Sequence, residues 1–155
     1  MKSNMEELIE LAYEDPDEAF RWIRLAAERG SPLGAASLGV MYANGRGTPV
    51  DYGESRRWYL ESARRGSAAG FYGIGVLHAN GQGVARDPVE ALAWFLVSAT
   101  LGDERAPREV DRFAGSEAES RAAVARANAI LREFGLTQPE IRFRNRDGES
   151  NPVAA

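Results

Sequence analysis

Residues 15–30 read DPDEAFRWIRLAAERG, residues 51–66 read DYGESRRWYLESARRG, and residues 87–102 read DPVEALAWFLVSATLG. The three stretches begin thirty-six residues apart and agree at five places: Asp15, Asp51 and Asp87; Glu18, Glu54 and Glu90; Trp22, Trp58 and Trp94; Ala27, Ala63 and Ala99; Gly30, Gly66 and Gly102. Outward from them, two copies also share Gly34 with Gly70, Gly39 with Gly75, and Asn44-Gly45-Arg46-Gly47 with Asn80-Gly81-Gln82-Gly83. Chance does not align so many unlike residues at one offset. A period of this length belongs to helical solenoids, whose repeats bury their apolar faces only by stacking on one another.

Each copy predicts two helices. An aspartate opens the first, with glutamate three residues on; Asp at N-cap accepts a backbone N–H, and Glu at N3 favours the positive helix end. Pro16 and Pro88 fall at N1, where a missing N–H costs nothing. Gly30, Gly66 and Gly102 stop the helix as left-handed residues. The second helix opens at Ser31-Pro32, Ser67 or Asp103 and ends, in the first two copies, at Asn44-Gly45 and Asn80-Gly81. Helical periodicity puts Ala19, Trp22, Ile23, Ala26 and Ala27 on one inward face. The equivalents are Ser55, Trp58, Tyr59, Ser62 and Ala63, then Ala91, Trp94, Phe95, Ser98 and Ala99. Interior glycines cost about 1 kcal/mol against alanine, so Gly34, Gly39, Gly70 and Gly75 predict close helix approach.

The order Asp-x-x-Glu-Ala, Trp-aromatic, Ala-Ala, Gly, Leu-Gly, Tyr, Asn-Gly-x-Gly resembles the Sel-one-like repeat family, relatives of the tetratricopeptide repeats. Residues 38–47 (LGVMYANGRG) and 91–95 (ALAWF) carry it, over roughly residues 15 to 112. The resemblance implies an adaptor or scaffold that binds other proteins. His78 stands where the first copy has Tyr42, and Val110-Asp111 where it has Leu38-Gly39. The expected fold is all-α: a short right-handed α-solenoid of antiparallel helix pairs over residues 1–136, with repeats at about 15–50, 51–86 and 87–112.

Solenoids need capped ends. Residues 4–13 read as a leading helix. Ser116 with Glu119 forms a capping box for a helix to Phe134, stopped by Gly135, with Val124, Ala127, Leu131 and Phe134 as its apolar stripe. The face opposite the tryptophans is Arg21, Arg24, Leu25, Glu28 in the first copy and Arg57, Leu60, Glu61, Arg64 in the second. In the third it becomes Ala93, Leu96, Val97, Thr100. The charges vanish there, so the terminal helix is expected to cover that face and bury Val97. Residues 137–155 are expected to form a mobile tail, in which Glu140, Asp147 and Glu149 offset Arg142, Arg144 and Arg146.

Composition bounds the chemistry. In 155 residues, 44% are hydrophobic and 27% charged, as in ordinary globular domains. The net charge of -4 argues against a nucleic-acid binder. With no cysteine, disulfides and zinc–thiolate sites are excluded. No apolar run is long enough for a membrane span, and Met1–Glu10 lacks the apolar core of a secretory signal, so a cytoplasmic location is expected. The glycine loops follow helices, whereas a phosphate loop follows a strand and opens a helix; they read as helix caps. The Asp/Glu pairs recur in every copy as caps should, and His78, the one histidine, reads as a partly buried packing residue. No catalytic residue, cofactor or metal is expected. The expected partner is a protein or peptide, acidic because arginine outnumbers acid on the concave first-helix face formed by Arg21, Arg24, Glu28, Arg57, Glu61 and Arg64. The alternatives are a dedicated chaperone or immunity protein for one partner, and a small-molecule-binding hydrolase.

Overall fold

The computed structural model describes residues 2–144 and 150–151. Among them are eight α-helices: α1 Asn4–Glu14, α2 Pro16–Glu28, α3 Pro32–Asn44, α4 Tyr52–Arg64, α5 Ala68–Asn80, α6 Pro88–Thr100, α7 Ala106–Phe113 and α8 Glu117–Glu133. A short antiparallel ladder pairs β1 (Phe143–Arg144) with β2 (Ser150–Asn151). The chain forms two compact units, one up to Ile74 and one from Gly75, the division falling within α5.

The repeat punctuation is built as its residues dictate. Asp15, Asp51 and Asp87 each accept the N–H three residues on, at 3.1, 3.0 and 3.0 Å. Gly30, Gly66 and Gly102 follow the helix ends with φ of 99°, 85° and 97°. Gly45 ends α3 at φ 64°, and Gly47 at φ 69° lies so close to the Pro16 carbonyl and Phe20 that no side chain fits. The third copy departs: α7 begins at Ala106, not directly after Asp103, and has no side-chain cap. Asp103 instead accepts the Arg105 N–H and its guanidinium, which closes a tight turn before the helix can open.

In the first unit, Ala19, Ile23 and Ala27 of α2 meet Ala35, Leu38 and Met41 of α3 and Trp58 of α4, with Leu11, Phe20 and Tyr42 at the margin. The Tyr59 ring fits between Gly39 of α3 and Gly73 of α5, in space that a Cβ at either glycine would occupy. Buried hydroxyls tie α4 to α3: Ser55 Oγ donates to the Gly39 carbonyl at 2.7 Å, and Ser62 Oγ to that of Pro32 at 2.8 Å. Arg65 reaches back to the Ala27 carbonyl at 2.8 Å, adding a second donor to an acceptor at the end of α2 and tying α4 to it.

One expectation about this core is corrected. The tryptophan face was expected to be buried in every copy, but Trp22 is 50% exposed where Trp58 is 7% and Trp94 is 4%. Trp58 is covered by the helices of the copy before it. In the first copy α1 precedes α2, and the indole is half exposed.

In the second unit, α8 packs along α6. Arg126 donates to both oxygens of Glu90 at 3.1 Å, Phe134 meets Trp94 edge-on at 6.0 Å, and Val97 is 0% exposed. Burial opposes the charge on Arg126, and Glu90 and Glu133 together outweigh it, holding the guanidinium above its ordinary pKa. Ala123, Val124, Ala127, Ile130 and Leu131 form the buried side of α8.

Part of the segment expected as a mobile tail lies against α8. The Asn128 amide donates to the Ile141 carbonyl at 2.8 Å and accepts its N–H at 2.9 Å. Phe143 is buried, with the Arg121 guanidinium 4.7 Å from its ring centre. Residues 145–149 and 152–155, Arg146 included, lie outside the described residues.

The capping box of α8 forms as expected. Ser116 N–H donates to Glu119 at 2.7 Å, and Glu119 N–H to Ser116 Oγ at 3.2 Å. Those bonds hold the Glu119 carboxyl below its ordinary pKa. At Asp103 burial acts in the opposite direction, and the bonds from Arg105 outweigh it, so that carboxyl is also lowered. A carboxyl with a depressed folded pKa adds stability above its unfolded pKa and loses it as pH falls through the folded value. The thermal midpoint is therefore expected to drop as pH falls from about 4 through the depressed range, read by circular dichroism. Glu119→Gln should show a smaller drop; an identical profile would remove Glu119 from the account. Ser116→Ala is expected to cost about 1 kcal/mol in urea denaturation.

Candidate docking surface

Charged residues at every third or fourth position of α2 leave one helix face in water, and the open Trp22 lies beside them. Glu18, Arg21, Trp22, Arg24, Leu25 and Glu28 line an open groove of about 470 Å³. All six of these described residues belong to α2. Arg21, Arg24 and Glu28, expected at a partner surface, are here; the sequence reading placed Trp22 in the core and did not include Glu18 in the site.

The electrostatics differ from a simple arginine excess. Arg24 Nε bonds Glu28 at 2.9 Å, and that bond raises its pKa above the ordinary value. On α4, Arg57 bonds Glu54 at 2.8 Å, which likewise raises its pKa, and its guanidinium lies 4.7 Å from the Trp58 ring centre. Arg64 bonds Glu61 at 2.9 Å, and Arg65 approaches the same carboxylate at 3.5 Å. These are three- and four-residue helix pairs, which the spacing already encodes. The charge of Glu54 on α4 also acts, more weakly, on Arg24. Among the described residues Arg21 pairs with no carboxylate, which leaves it as the free cation of the groove.

Trp58 and Trp94, the other repeat tryptophans, are packing residues, as are Gly39 against Tyr59 and Gly75 against Phe95. His78 is half-buried. Among the described residues no cluster of His, Asp and Glu is arranged to hold a metal ion, and no helix is long and apolar enough to cross a membrane.

The Sel1 repeat pattern matches residues 11–31, 32–67 and 68–103. The chain belongs to the Sel1 repeat family. A crystal structure of a Sel1 repeat protein from Oxalobacter formigenes is similar at 28% identity and a TM-score of 0.62, over 85% of this chain and 59% of that one. The structure of c5321, a protective antigen of uropathogenic Escherichia coli with the SLR fold, is similar at 19% identity and a TM-score of 0.71, over 93% of this chain and 35% of that one. The chain thus spans about three fifths and one third of these two proteins. No curated protein matches it. The Sel1 assignment establishes the fold as a helical solenoid, and Sel1 repeats generally serve as protein-interaction scaffolds. The matched repeats are offset from the boundaries drawn at Asp15, Asp51 and Asp87, because a periodic chain can be cut at any phase.

Proposed function

We propose that this Sel1 repeat protein is a non-catalytic scaffold that binds a protein or peptide on the first-helix face of α2 and α4. The observation that carries the reading is Trp22, half exposed over an open groove where its two repeat equivalents are buried. Tryptophan and arginine dominate the energetics of protein interfaces, and a large exposed aromatic beside an unpaired guanidinium supplies both. Arg21 favours a carboxylate on the partner. Arg24, Arg57 and Arg64 already hold carboxylates of their own helices, so an acidic partner would have to compete for them.

The test is affinity capture from the source organism with tagged wild type, Trp22→Ala, and the double variant Arg57→Glu with Arg64→Glu, read by mass spectrometry. A protein retained by wild type, lost with Trp22→Ala and weakened by the double reversal supports the surface. A protein retained equally by all three would place binding elsewhere on the chain.

A further inference from the structure

We propose that the groove on α2 seats an amphipathic α-helix of a partner protein, docked as α8 docks on α6. The proposal rests on the docking surface assigned above and adds the chemistry of its occupant. The six groove residues have equivalents two repeats on: Glu18, Arg21, Trp22, Arg24, Leu25 and Glu28 correspond to Glu90, Ala93, Trp94, Leu96, Val97 and Thr100. In the third copy this face is occupied. Glu90 accepts from Arg126, Trp94 meets Phe134, and Ala93 and Val97 are buried. In the first copy Arg21, Trp22, Arg24 and Glu28 of the same face are exposed, and Glu18 and Leu25 are half-buried. Among the described residues the chain thus contains one version of this face covered by a helix and one left largely exposed.

Comparison of the two seats specifies the occupant. Glu and Trp stand in both, so a basic residue facing Glu18 and an apolar stripe against Trp22 and Leu25 are carried over from α8. The Glu90 carboxylate also accepts the Trp94 indole N–H at 3.0 Å. Among the described residues, Glu18 and Trp22 make neither bond, which leaves that carboxylate available. Arg21 stands where the filled seat has Ala93, adding a positive charge that α8 never meets. The partner helix therefore carries a carboxylate facing Arg21. Arg24 and Glu28, already paired, add polarity to the rim and demand no further partner. A second copy's α8 does not qualify, because its apolar side is held by its own α6.

The test uses the full chain labelled with ¹⁵N, whose indole N–H signals report Trp22, Trp58 and Trp94 separately. The probe is a peptide of residues 116–135, hydrocarbon-stapled between positions 118 and 122, both on the exposed side of α8. Two variant peptides carry Ala123→Glu or Ala127→Glu, to offer Arg21 its carboxylate. The expected result is a saturable shift of the Trp22 signal, with one glutamate peptide at least tenfold tighter than the parent. Arg21→Ala in the protein should remove that preference. Glu18→Gln should weaken the parent peptide but not its Arg126→Gln form. Trp22 unmoved by every peptide at millimolar concentration would overturn the proposal. So would a shift confined to Trp94, which would report exchange with the chain's own α8, or a Trp22 shift that follows protein concentration alone, which would make a second copy the occupant. A Trp22-dependent captured protein together with unbound peptides would leave the docking surface standing and reject the helix.

Discussion

Trp58→Ala is expected to lower the unfolding free energy by about 3–5 kcal/mol, and Trp22→Ala, at the same repeat position, by less than about 1 kcal/mol. The chemistry removed is identical, so the difference comes from the surroundings. Trp58 lies among Ala19, Ile23, Leu38 and Met41, small and medium side chains that cannot collapse into the space an indole leaves. Trp22 is 50% exposed and leaves mainly water contact behind. Urea denaturation followed by circular dichroism measures both. Equal losses would mean that Trp22 is a core residue, and the open groove would have to be abandoned.

Gly70→Ala is expected to cost about 3 kcal/mol, although alanine is the better helix former by about 1 kcal/mol. A Cβ at Gly70 would lie 2.5 Å from the Ala63 nitrogen and 2.6 Å from the Tyr59 carbonyl. Both are backbone atoms of α4, and neither can rotate away, so α4 and α5 must separate and the Tyr59 contacts between them loosen. Gly53→Ala is the control. Its Cβ would meet only the Asp51 carboxylate, at 3.3 Å, and the substitution should be neutral or slightly stabilising. The same urea measurement separates the two; a neutral Gly70→Ala would show that the helices do not need their close approach.

Most of the architecture is legible because the sequence states it three times. The aspartate caps, the glycine stops and the alternation of large and small residues are local signals, and repetition removes the ambiguity that each would carry alone. The docking of α8 was legible through a contrast: Arg57 and Glu61 give way to Ala93 and Val97, and a face that loses its charges must be covered. The exposure of Trp22 was hidden by the same periodicity that revealed the fold. A repeat pattern assigns each copy one environment, but Trp22 follows the single helix α1 where Trp58 follows a helix pair, and it keeps the residue type of the interface while half exposed. The helix-internal partners of Arg57 and Arg64 were encoded at three-residue spacing, and they reduce the arginine excess that suggested an acidic ligand. The hold of Asn128 on Ile141 was not legible, because it joins a buried amide to a segment thirteen residues away that carries no periodic signal.

The central claim, that the face around Trp22 receives a partner, is tested most directly by calorimetric affinity of the captured protein for wild type and for Trp22→Ala. The account predicts a loss of at least about thirtyfold, the scale of an interface hot spot, with the variant still folded. An unchanged affinity in a folded variant would contradict it.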